Sequence, residues 1–218
     1  MGVRSASPLQ LLALAVLAAF LAACRGASTE QQSLEVIDVY ATAAVSPWLA
    51  EVFVCAEKAA AVVRITGPAT AEMTLRLGEP EILVGPAFQI ADEEVLIVTH
   101  PQSSIQELSL EEARRLFSSG GDSNFERWVF SHDEDVQQVF RRAIMGGNNV
   151  TSSAHVAGDP QEMLDALGSD PAAVGLIPRR WNVGDLRPVL VAASAPVLVT
   201  TRAEPVGPLR DLVQCLQS

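Results

Sequence analysis

The sequence predicts an α/β protein with largely parallel strand pairing. Short apolar runs alternate along the chain with longer segments of helical periodicity. Two of the helical segments open on a capping side chain, Ser109 or Asp159, with a glutamate three residues on, Glu112 or Glu162. One run, Val95–Thr99, is almost wholly apolar, as a strand buried on both faces must be.

The elements follow in order. Leu34–Ala41 alternates apolar residues and reads as a strand. Ser46-Pro47 opens a helix with a hydroxyl cap and proline in the first turn. Trp48, Leu49, Val52, Phe53, Ala56 and Ala59 form its expected buried stripe. Strands follow at Val62–Thr66, Met73–Leu77 and Val95–Thr99. The capped helix after Ser109 runs to Phe117, and Gly120-Gly121 closes that segment. Trp128–Ser131 is a short strand and Asp133–Met145 a helix stopped by Gly146-Gly147-Asn148. Asp159-Pro160 begins a helix to Leu167. Strands at Ala173–Ile177, Pro188–Ala192 and Val197–Thr201 precede a closing helix, Gly207–Leu216.

The chain has 218 residues, 15 basic and 26 acidic, for a net charge of −11. An apolar content of 49% is that of a folded chain. The acidic balance argues against nucleic acid as a partner, because phosphates need Lys and Arg to neutralise them. The length allows one domain or two small lobes.

The N-terminus is an address. Leu11–Ala23 is an unbroken apolar run of 13 residues behind Arg4, the length of a signal-peptide core and too short to span a bilayer comfortably. It ends Leu21-Ala22-Ala23-Cys24, which resembles the lipobox of bacterial lipoproteins. That resemblance implies cleavage before Cys24, lipidation of its sulfur and anchoring at the outer face of the cytoplasmic membrane. Each buried methylene contributes about 0.8 kcal/mol to such an anchor. Residues 25–33 (RGASTEQQS) form a flexible tether. Cleavage removes one basic residue, Arg4, and leaves 14 basic against 26 acidic groups, a net of −12. Two thiols then remain, Cys55 and Cys215, in a compartment where disulfides persist. They pair if both helices lie in one lobe. The alternative is two buried free thiols.

Several segments together resemble the phosphate-type substrate-binding components of ABC transporters. Val95-Leu96-Ile97-Val98 is similar to the strand that crosses between the lobes. Leu108-Ser109-Leu110-Glu111-Glu112-Ala113 with Leu116-Phe117-Ser118-Ser119-Gly120 is similar to a characteristic helix of that family. Trp128, Phe140, the run Asp170–Ile177 and Glu204-Pro205-Val206-Gly207 follow in the family's order. The resemblance implies a two-lobed, type II periplasmic-binding-protein-like fold, each lobe a mixed, mostly parallel sheet flanked by helices. It divides the chain into a signal peptide (1–23), a tether (24–33), lobe one (34–94 plus 190–218) and lobe two (95–189). Both Cys55 and Cys215 then fall in lobe one. It also implies a small-molecule or ion ligand and service to an ABC permease or a related sensor; a monomer, no cofactor and no catalysis are expected.

Such binders hold ligands between strand C-termini and helix N-termini, where backbone N–H groups and the helix dipole favour anions. On lobe one this places Thr42, Ala43 and Ser46 at the ligand, unless Ser46 merely caps its helix. On lobe two the family's phosphate site has an arginine followed closely by Ser-Gly-Thr. The matching stretch here is Phe130-Ser131-His132-Asp133-Glu134-Asp135-Val136, with neither. Ser131 and Glu134 have capping-box spacing, and three consecutive carboxylates stand where an anion would be expected. A carboxylate about 4 Å from a phosphate costs roughly 4 kcal/mol at an effective dielectric near 20. The phosphate contacts therefore do not carry over, unless an arginine such as Arg76 reaches in. Two readings stand: a capped helix in a domain that lost or changed its ligand, or a site for a neutral or cationic solute built on Ser131, His132 and Asp133 or Asp135. A non-transport surface lipoprotein that uses the fold for protein–protein contact is the alternative function.

Other chemistry is poorly supported. Ser131-His132-Asp133 holds triad residue types, but consecutive side chains diverge. His100, His132 and His155 have no metal-motif spacing.

Overall fold

The computed structural model describes residues 34–181 and 183–218. The signal run, Cys24 and the tether lie outside the described residues. The elements are β1 (Glu35–Ala41), a 3₁₀ helix (Ala43–Trp48), α1 (Leu49–Lys58), β2 (Ala61–Ile65), β3 (Met73–Leu77), β4 (Ala87–Thr99), α2 (Leu110–Phe117), β5 (Glu126–Phe130), α3 (Asp135–Ala143), β6 (His155–Ala157), α4 (Pro160–Ser169), β7 (Ala173–Pro178), β8 (Arg187–Thr201) and α5 (Gly207–Leu216).

The strands join into one eight-stranded sheet in the order β2-β1-β3-β8-β4-β7-β5-β6. Pairing is parallel on each flank, in β1–β2, β1–β3, β5–β6 and β5–β7. It is antiparallel through the centre, in β3–β8, β8–β4 and β4–β7. The long strands β4 and β8 pair over nearly their whole length, with register shifts at three places. The C-terminal end of β8 continues to β3 and that of β4 to β7, so this two-stranded ribbon joins the flanks.

Local sequence accounts for most elements. All six residues of β7 are buried, as a strand covered on both faces requires. Ser109 and Glu112 form the expected capping box, and Asp159 accepts from the Glu162 N–H at 2.9 Å. Phe117 of α2 meets Phe140 of α3 edge-on at 5.0 Å. Gly175 lets β7 lie against α4: a Cβ there would fall 2.5 Å from Met163 Sδ.

Several expectations are corrected. Ser46 does not open a helix; it lies inside the 3₁₀ helix, and α1 begins at Leu49. Phe53 is 49% exposed, outside the stripe of Val52, Cys55 and Ala56 that α1 buries. The runs Pro188–Ala192 and Val197–Thr201 are one strand. Pro196 between them sits opposite Asp92, and its carbonyl accepts the Gly78 N–H at 2.7 Å. β4 starts eight residues before Val95 because Ala87–Glu94 pairs with β8, polar side chains notwithstanding. Cys55 and Cys215 form a disulfide, with Cα atoms 5.6 Å apart, that ties α1 to α5.

Candidate functional site

The C-terminal ends of β1 and β3 face the start of α3. Thr42 follows β1 in extended conformation and occupies the cap position of the 3₁₀ helix, yet its side chain caps nothing there. Its hydroxyl instead donates to Asp135 Oδ2 at 2.6 Å. The Leu77 N–H at the end of β3 donates to the same oxygen at 2.7 Å. Asp135 Oδ1 accepts the Val136 N–H at 2.8 Å. Asp135 is the first residue of α3 and only 3% exposed. Its carboxylate is thus buried at a helix N-terminus with three donors, two of them 93 and 58 residues away in sequence.

The surroundings are charged. Arg76 Nε donates to the Gly78 carbonyl at 3.1 Å. Burial lowers the Arg76 pKa, nearby Asp135 raises it, and Arg142 lowers it. Glu134 is pushed above its ordinary 4.5 by burial, then by Asp135 and Asp133. Burial, Glu134 and Asp135 also push up the Tyr40 phenol. Gly78 brings β3 close against α3, and Arg142 Nη1 donates to the Glu79 carbonyl at 3.3 Å.

The residues expected to bind ligand divide among three places. Thr42 is at the Asp135 contact, and Arg76 stands beside it. The Ala43 carbonyl accepts from Trp181 Nε1 at 3.3 Å. Ser46 lies partly buried in the 3₁₀ helix. Ser131 and His132 are on the outer side of the α3 start, where they line a cavity of about 340 Å³ with Gln137, Arg141, Thr151 and Ser152. Arg141 donates to His132 Nε2 at 2.5 Å. Asp133 is exposed, and its carboxylate accepts from Ser131 Oγ at 2.5 Å, which holds its pKa below the usual carboxylate value. The capping box expected of Ser131 and Glu134 is absent: Glu134 takes the cap position of α3 without a side-chain hydrogen bond, because the Ser131 hydroxyl is directed at Asp133.

A second contact bridges the flanks near the crossing ribbon. Glu93 of β4 is 4% exposed and accepts from Trp48 Nε1 at 3.2 Å and from the Arg180 N–H at 2.8 Å. The Arg180 guanidinium lies 3.7 Å from the Trp48 ring centroid and pairs with Glu51. The turn after β7 therefore docks onto the 3₁₀ helix. Sequence reading did not single out Leu77, Glu93, Trp181 or the role of Arg180. Glu93 stands between Asp92 and Glu94, and residue type alone does not tell the buried carboxylate from its neighbours.

No protein-family model matches the chain, and no curated protein matches it in sequence. Solved structures do match in fold. A putative phosphate ABC transporter substrate-binding protein with bound phosphate from Clostridium perfringens aligns with a TM-score of 0.72 at 12% identity, over 84% of this chain and 93% of that one. An ABC-type phosphate transport receptor from Vibrio cholerae aligns at 0.61 and 13%, over the same shares. The reduced regulatory domain of OxyR2 from Vibrio vulnificus aligns at 0.65 and 10%, over 88% and 99%. The chain has the two-lobed type II fold of the phosphate-binding structures, and that fold also serves a regulatory domain.

Proposed function

We propose that the chain is a lipid-anchored, extracytoplasmic solute-binding protein. Residues 34–94 and 190–218 form lobe one, residues 95–189 form lobe two, and β4 and β8 form the hinge. Diacylglycerol on Cys24 holds it at the outer face of the cytoplasmic membrane, where it delivers solute to an ABC permease. What supports this reading is the fold, which aligns at a TM-score of 0.72 with a phosphate ABC transporter substrate-binding protein. The solute is neutral or cationic, since Asp133, Glu134 and Asp135 at the start of α3 oppose a free phosphate.

A thermal-shift panel of phosphate, sugars, amino acids and polyamines tests the solute. A saturable rise in Tm with a neutral or cationic compound is expected, and a response to phosphate alone would refute the charge argument. Anchoring is tested separately: Cys24→Ala should move the protein from the membrane fraction to the soluble one.

One observation favours a second reading. The Thr42 hydroxyl and the Leu77 N–H are already taken by Asp135. A surface lipoprotein that uses the closed fold for protein–protein contact needs no solute. A panel with no response at all is what that reading expects.

A further inference from the structure

We propose that the Asp135 carboxylate is a built-in stand-in for an oxyanion: it fills the contact between the end of β3 and the start of α3, excludes small anions there and latches the two flanks of the sheet together without any solute. The group has the features of a bound anion. It is buried, it sits at the N-terminus of a nine-residue helix, and one of its oxygens takes both a hydroxyl and a backbone N–H from the opposite flank at 2.6 and 2.7 Å. Thr42 confirms the direction of the interaction, because its hydroxyl forgoes its own helix cap to reach Asp135.

The contact is also locally dense. Gly78 next to Leu77 has a φ of 69°, and a Cβ on it would lie 2.9 Å from Val139 Cγ2. The end of β3 is thus pressed onto the helix that carries the carboxylate. Arg76, which interacts electrostatically with Asp135, offsets the charge that burial would otherwise oppose. A carboxylate already in place holds the Thr42 hydroxyl and the Leu77 N–H, and it repels a second anion. The latch stands whether the protein serves transport or protein contact, since it concerns the resting state of the chain alone.

Chemical rescue tests it. Asp135→Ala removes the carboxylate and keeps the donors. Formate, acetate or phosphate, at ionic strength matched with chloride, should then raise the Tm of the variant saturably, and should leave the wild type unmoved. Adding Thr42→Val should weaken the apparent formate affinity about tenfold, the effect of losing one charge-assisted hydrogen bond. A folded Asp135→Ala protein that responds to formate no more than to chloride would overturn the proposal, as would wild-type protein that binds phosphate equally well. Should Asp135→Ala not fold, Asp135→Asn keeps the shape. In it the Leu77 amide should exchange with deuterium at least about tenfold faster than in the wild type. Unchanged protection of that amide refutes the latch.

Discussion

Gly78 ends β3 with φ at 69°, and a Cβ there would meet Val139 Cγ2 at 2.9 Å and Arg142 Nη2 at 3.2 Å. Gly146 has a similar φ of 59° but nothing within 4 Å of the same position. Backbone strain is therefore common to both sites, and the contact with α3 belongs to Gly78 alone. Gly146→Ala should cost about 1–2 kcal/mol, the ordinary left-handed penalty. Gly78→Ala should cost roughly 1 kcal/mol more and lower Tm further by about 2–4 °C. Equal losses in thermal melts would mean that α3 yields freely. Glu134 supports a second residue-scale prediction. Burial and its acidic neighbours raise its pKa in the folded state, so the stability linked to its protonation is present at low pH and lost as pH rises through that raised value. Glu134→Gln should therefore be more stable than wild type at neutral pH, and the gap should close as pH falls below the Glu134 pKa. A gap independent of pH would assign the effect to something other than charge.

Elements differ in how plainly the sequence announces them, and the reason is the range of the forces that make them. The α2 cap is local: Ser109 and Glu112 bond each other's backbone across one turn, and both residues are visible in a four-letter window. Glu112 is held below its ordinary pKa by those bonds, so the cap weakens as pH falls through that depressed value. β6 has three residues and no apolar pattern of its own. It exists because Trp128–Phe130 lies alongside it. The first half of β4 is hidden by Gln89, Asp92, Glu93 and Glu94, which a strand tolerates because β8 supplies its hydrogen bonds. The candidate site suffers the same limit. Thr42 was legible as a residue at a strand end, but its partner lies on another flank, and no window of sequence holds both. The buried Glu93 gives this scale its test. Glu93→Ala leaves the Trp48 indole N–H and the Arg180 N–H without their acceptor, and should cost about 2–4 kcal/mol in urea denaturation. Glu93→Gln keeps one carbonyl acceptor and should cost clearly less. If the two variants are equally stable, the hydrogen bonds contribute nothing and only packing matters.

The whole molecule is held by two kinds of tie that act on different motions. The Cys55–Cys215 disulfide joins α1 and α5 and closes a loop of 160 residues. Both helices pack against each other, and the bond crosses neither β4 nor β8. It restrains the unfolded chain strongly, by about 4–5 kcal/mol in the chain-entropy model, and leaves the approach of α3 to β3 untouched. The Asp135 contact does the reverse: it spans the flanks and constrains the unfolded chain not at all. Cys55→Ser with Cys215→Ser should therefore lower the global unfolding free energy by up to that amount, while the Leu77 amide stays protected relative to its neighbours under native conditions. Asp135→Asn should release the Leu77 amide and change global stability by less. Hydrogen exchange read beside urea denaturation separates the two. Loss of Leu77 protection in the cysteine variant, to the same degree as in Asp135→Asn, would show that both ties hold a single motion, and that the flanks do not open independently of the rest of the fold.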